Sequence, residues 1–496
     1  MSTSRRALAL LAVCGLSPAL AAPEERARVV FRAHPLASQQ QLLDRSSRGP
    51  GLVGLGQPRP PSASLRAWSR LRQQWEERWQ PAPDAPVPLP LGLDMVLPPA
   101  PGQDPAEAFD LAFLEARTAT EAAAKLGLSA GDAAALERLI DAQAVRVAAG
   151  LEAAGRFAPL IERLEGLAKR VDLEGFLARA ARFYGVEDRL PPTIHVELLW
   201  SPDSDGFLAA TQVGSHMVLP VPQGWGRTER DAAALLTTVV HELGHYFVSL
   251  LPGEVRARVA RAIVEGEGVL NAGRPNVFDE ALQTALGTLI FARDRLPDSF
   301  DPREPLYGED RGETYPDAID VLARELEAPL RAHLDTPGAF QAAFLTEGLA
   351  AQARRYPRRP LHFSRSCLVL APRRTAATAF QRAFPDGDQL AREELGLDDF
   401  APRSQELAGA TRWLLLEPQD LQRRPGLLAE LGTAWAAPLA AGLTETTLAQ
   451  VQAARRGPGL GYDVVVVARD AAGLRRALVA LRTARSLPES EPLSVR

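Results

Sequence analysis

The segment Thr237-Thr238-Val239-Val240-His241-Glu242-Leu243-Gly244-His245-Tyr246-Phe247-Val248 sets two imidazoles four residues apart, with a carboxylate directly after the first. On an α-helix, side chains four apart lie one above the other, roughly 6 Å apart at Cβ. Two imidazoles so placed can both reach one ion at about 2.0–2.1 Å, the usual zinc–nitrogen distance. Glu242 lies about 100° further round the helix. It cannot share the ligand position, but it can reach a water held by the metal. That division of labour is the chemistry of a zinc hydrolase. The ion lowers the pKa of its water to about 7 and polarises a carbonyl. Glu242 takes a proton from the attacking water and returns it to the leaving amine.

Such chemistry needs a helix under the motif and rigid elements around it. Thr228, followed three residues later by Asp231, predicts the helix start, and Pro252-Gly253 predicts the stop. Just upstream the hydrophobic period changes. Thr193–Leu199, Phe207–Val213 and Ser215–Val221 read as strands, with turns at Asp203–Gly206 and Gly214. Downstream, Asn276 is positioned to cap a helix running to about Arg293.

The H-E-x-x-H segment, with uncharged Thr238, Val239, Leu243, Gly244, Tyr246 and Phe247 around its charged members, resembles the zinc metallopeptidases known as zincins. The resemblance covers about a third of the chain, from about Thr193 to Arg355. It implies an α+β catalytic domain in which a small antiparallel sheet lies over the active-site helix and its edge strand holds an extended substrate. Within that group, Val248 and Leu251 stand where the metzincin pattern has glycine and histidine, and the cysteine context of peptide deformylases is missing. The gluzincin branch, whose third ligand is a glutamate on a following helix, remains.

Glu280 is the expected third ligand, with Glu265 and Glu267 as competitors. Glu265 has the spacing of thermolysin-like enzymes. However, Glu265-Gly266-Glu267-Gly268 ends a helical run, where the dipole disfavours carboxylates and glycines hold them poorly. Glu280 and Asp279 fall instead in the first turns of the helix after Asn276, where negative charge is favoured. Thr284 and Gly287 continue the Glu280 face. They are small enough to let this helix approach the motif helix, against Gly244, and Thr284 is the expected partner of a metal-binding histidine. Tyr315, His333 and His362 are candidate donors to a transition-state oxyanion. His195 and His216 fall on strands and read as sheet residues. The implied activity is hydrolysis of peptide or protein substrates with Zn2+ as cofactor. The alternative is an inactive scaffold of the same type that binds peptides or proteins outside the cytoplasm.

The remainder of the 496 residues divides by composition. Residues 1–21 carry Arg5-Arg6, an apolar run and Ala19-Leu20-Ala21, the pattern of a cleaved export signal. A secreted or periplasmic location follows as the expectation. Residues 22–97 are broken by prolines and read as an arm or linker, with helical character only at Leu65–Trp79. Residues 98–190 predict packed helices, and 191–355 form the catalytic region. Residues 356–496 predict a C-terminal α/β accessory region, with strands at Trp413–Leu416 and Val464–Val467 and a helix carrying Leu474, Leu478 and Leu481. Once the signal is removed Cys367 is the only cysteine left, which excludes an internal disulfide, and its apolar neighbours make it a buried thiol. The net charge of −5 gives no footprint for nucleic acid, and no apolar run is long enough to span a bilayer.

Overall fold

The structure is a computed structural model. It describes residues 27–47, 63–81, 89, 96–154, 157–201, 210–222, 225–265, 276–301, 306, 314–355, 367–384, 396–401, 411–457, 460–484, 486–489 and 491–496. Within them the chain is mixed α+β, with helices around two separate sheets.

The first sheet holds β1 (Arg28–Ala33), β2 (Thr193–Ser201), β3 (Thr211–Val213) and β4 (His216–Pro222), in the order β1-β2-β4-β3. It corrects the expectation of an antiparallel sheet: β1, β2 and β4 run parallel, and only β3 is antiparallel, to β4. Instead of pairing with β2 as a hairpin, β3 takes the outer edge, so the chain returns through β4 in the direction of β2. The alternation of β2 serves both faces. Ile194, Val196 and Leu198 enter the large core with Met217, Leu219 and Val221 of β4, while Leu199 and Val218 pack on the opposite side with Leu114. β1 and the following helix, Pro35–Ser47, lie in the stretch read as a linker, so that stretch contributes an edge of the first sheet.

The motif helix runs from Glu229 to Ser249. Its start is the expected one: Thr228 Oγ1 accepts from the Asp231 amide at 3.1 Å, and Asp231 Oδ2 accepts from the Thr228 amide at 3.0 Å. Leu235, Leu236, Val239, Val240, Leu243 and Phe247 are fully buried, which fixes the rotation of the helix against the core. Pro252 has no amide to continue the ladder. The chain bends by 110° and restarts as the helix Gly253–Glu265. No single helix among the described residues is long and apolar enough to cross a membrane.

The second sheet comprises β5 (Cys367–Leu370), β6 (Thr411–Leu416), β7 (Ala449–Gly457), β8 (Leu460–Ala468) and β9 (Leu493–Val495), in the order β5-β6-β8-β7-β9. Cys367 is buried on β5, as read. One face of this sheet, with Val369, Trp413 and Val464, joins the same continuous core as the motif helix; the other is covered by Leu427, Leu428 and Leu439. Side chains of the C-terminal region therefore contribute to the main core. Upstream, Trp68, Trp75, Phe109 and Phe113 form a smaller core for the N-terminal helices.

Candidate metal centre

The helix Val277–Thr284 continues directly into a π-helical stretch, Ala285–Ala292, and one further α turn, Arg293–Arg295. It crosses the motif helix so closely that a methyl on Gly287 would stand 3.2 Å from the His241 amide nitrogen. This approach carries Glu280 to the two histidines. Glu280 Oε2 is 3.4 Å from His241 Nε2 and 3.6 Å from His245 Nε2, and the two Nε2 atoms are 3.1 Å apart. Donors of an ion held tetrahedrally at about 2.0–2.1 Å lie about 3.3–3.4 Å from one another. The three side chains, each about 15% exposed, thus have the identities, the separations and the partial access that a zinc site needs.

Glu242 is half-buried on the neighbouring face of the motif helix. Burial raises its pKa, with help from Glu280 and Asp279, while His241 and His245 pull the other way. Glu280 behaves oppositely. Against the effect of burial, hydrogen bonds from His241 and His245 hold its carboxyl far below the usual range. In the metal-free arrangement burial would lower the His245 pKa, but Asp279 and Glu280 reverse this and raise it well above its ordinary value.

Two local expectations are corrected. Asn276 stands at the helix start without a side-chain capping bond; its Nδ2 donates instead to Glu280 Oε1 at 3.3 Å and steadies that carboxylate. Thr284 does not support a histidine, and its buried Oγ1 has no hydrogen-bond partner among the described residues. That role falls to Asp279, whose Oδ2 lies 2.6 Å from His245 Nδ1. Asp279 sits one residue before Glu280, so it approaches the far side of the ring while Glu280 approaches the near side. Its acidic character was legible, but its partner was not.

Of the other candidates, Glu265 is the last residue of its helix, and its side chain and Glu267 lie outside the described residues. The side chain of Tyr315 and the whole of His362 are outside them too. His333 pairs with Glu347 at 3.0 Å on the next helix and is not grouped with His241, His245 and Glu280. His195 and His216 are register partners on β2 and β4, with rings stacked at 5.0 Å, as sheet residues should be. His216 Nδ1 also meets the fully buried Glu197 at 2.7 Å, and Arg32 of β1 clamps the same carboxylate. Compared with known proteins, the chain matches no family model, no curated protein and no solved structure.

Proposed function

We propose that this chain is an exported zinc metallopeptidase in which His241, His245 and Glu280 hold the metal and Glu242 is the general base. The observation that carries this reading is the convergence of the three donor atoms, all within 4.8 Å of one another, beside the half-buried Glu242 carboxylate. Zinc bound there would supply a Lewis acid that lowers the pKa of water to about 7 and polarises a carbonyl. The chain's own residues supply the rest. Asp279 occupies His245 Nδ1 and leaves Nε2 to face the other donors. Burial makes the Glu242 carboxylate a better proton acceptor, suited to taking a proton from the attacking water and passing it to the leaving amine. The edge strand β3 lies next to the motif helix, where an extended peptide can add to the sheet and present its backbone to Glu242.

Metal analysis of the purified full chain tests the donor set. One zinc per chain is expected, bound sharply more weakly in Glu280→Ala and nearly unchanged in Glu265→Ala. The opposite pattern would hand the third position to Glu265.

A further inference from the structure

Behind His245 lies a buried chain of hydrogen bonds that reaches a helix well outside the motif. Tyr184, the last residue of the helix Leu173–Tyr184, donates its hydroxyl to Gln283 Oε1 at 2.8 Å. Gln283 Nε2 donates to Asp279 Oδ1 at 2.8 Å, and Asp279 Oδ2 meets His245 Nδ1 at 2.6 Å. Tyr184 and Gln283 are fully buried and Asp279 is 3% exposed, so water does not substitute for any link.

The donor inventory gives this chain one direction. An ionised carboxylate only accepts, so Gln283 must turn its NH2 group towards Asp279 and its oxygen towards Tyr184. Tyr184, facing an oxygen, must then donate. At the other end Asp279 can only accept from Nδ1–H, which leaves His245 Nε2 turned towards His241 and Glu280. Gly244, inside the motif, belongs to the same device. A Cβ there would overlap Gln283 Oε1, so glycine at this position opens the space in which the amide lies against the motif helix.

We infer that Tyr184 and Gln283 are positioning residues for the metal centre: they fix the Asp279 carboxylate, and through it the ring orientation and Nδ1 proton of His245. The inference rests on the proposed donor set, but its physical content, the buried bond between His245 Nδ1 and Asp279, needs no metal to form. If Gln283 is lost, Asp279 keeps its charge but loses the partner that aims it. If Tyr184 loses its hydroxyl, the Gln283 amide can turn and set oxygen against oxygen. Partners of this kind are typically worth 10–100-fold in metal affinity.

The test uses the full chain with Tyr184→Phe, Gln283→Leu, Gly244→Ala, Gln283→Ala and the Gly244→Ala/Gln283→Ala double variant. Zinc affinity is measured by chelator competition, and solvent exchange of the His245 Nδ1–H by NMR on metal-free, 15N-histidine-labelled protein. Tyr184→Phe and Gln283→Leu should each weaken zinc about ten-fold and speed Nδ1–H exchange by a similar factor. Gly244→Ala should do the same alone, yet add nothing once Gln283 is alanine, because the overlapping atom is gone. A merely structural role would lower the melting temperature while leaving zinc affinity and Nδ1–H exchange at wild-type values, and that result overturns the inference. Should the wild-type chain bind no zinc, the donor-set reading fails on its own, and the exchange measurement still decides whether this chain of bonds holds His245.

Discussion

A methyl group on Gly287 would stand 3.2 Å from the His241 amide nitrogen, 3.3 Å from His241 Cβ and 3.1 Å from the Thr237 carbonyl oxygen. This contact sets the separation of the two helices that carry the donors, and therefore the 3.4 Å between Glu280 Oε2 and His241 Nε2. Its neighbours are mostly backbone, which cannot swing aside. Gly287→Ala should force the helices apart, destabilise the fold by about 1–3 kcal/mol and weaken zinc binding at least ten-fold. Gly253→Ala, where a Cβ meets nothing within 4 Å, is the matched control and should leave affinity unchanged. Equal zinc affinity in Gly287→Ala and wild type would show that this approach does not position the site.

Thr284 offers a test with the opposite sign. Its hydroxyl is buried, 1% exposed as a residue, and among the described residues it has no hydrogen-bond partner. An unsatisfied buried polar group costs about 1–3 kcal/mol. Valine has nearly the same shape and no such group, so Thr284→Val should stabilise the chain by about 1 kcal/mol and leave zinc affinity intact. Thermal unfolding of the metal-free protein measures it. Loss of stability or of metal would return to Thr284 the supporting role that the sequence suggested.

The legible parts of the site are the local ones. The H-E-x-x-H spacing, the Thr228–Asp231 start and the helix bearing Glu280 each depend on residues within a turn or two of one another. What was illegible depends on partners far away in sequence. β1 has no strand neighbour until β2, so its pairing leaves no local trace in a proline-broken stretch. The parallel pairing of β2 with β4 goes with β3 taking the outer edge, a choice of topology that leaves each strand's alternation unchanged. Asp279 and Thr284 compete for the same support role on one helix face or the next. The winner is decided by the crossing of two helices, which puts Asp279 Oδ2 at His245 Nδ1 and leaves the Thr284 hydroxyl buried without a partner among the described residues. Tyr184 and Gln283 meet only because the Leu173–Tyr184 helix packs behind the motif helix.

Acid stability should report the Glu197 network. Against the effect of burial, hydrogen bonds from His216 and Arg32 hold the Glu197 carboxyl below its ordinary value of 4.5. Unfolded chains therefore take up this proton at a higher pH than folded ones, and the stability conferred is complete above about pH 4.5 and lost as the pH falls further. Burial also lowers the His34 pKa from 6.5, which begins the decline earlier, as the pH drops through about 6.5. Glu197→Gln should cost about 3 kcal/mol at neutral pH, by leaving the Arg32 and His216 contacts without their anion. It should also flatten the fall in denaturant stability as the pH drops below about 4.5, where the unfolded chain begins to take up the proton that the folded one refuses. A variant with the wild-type pH slope would show that Glu197 does not control this limb.

The central claim is that Glu242 moves the proton in hydrolysis at a centre built by His241, His245 and Glu280. The most direct measurement is turnover of a fluorogenic peptide library by the zinc-loaded full chain and by Glu242→Gln, with zinc content determined on the same samples. The amide keeps the shape of the side chain but cannot accept the proton of the attacking water. The expected result is zinc-dependent cleavage by the wild type, and a variant that retains one zinc while turnover falls about 10²–10⁴-fold. Near-normal turnover by Glu242→Gln, or a zinc-loaded wild type that cleaves no peptide in the library, would contradict the account.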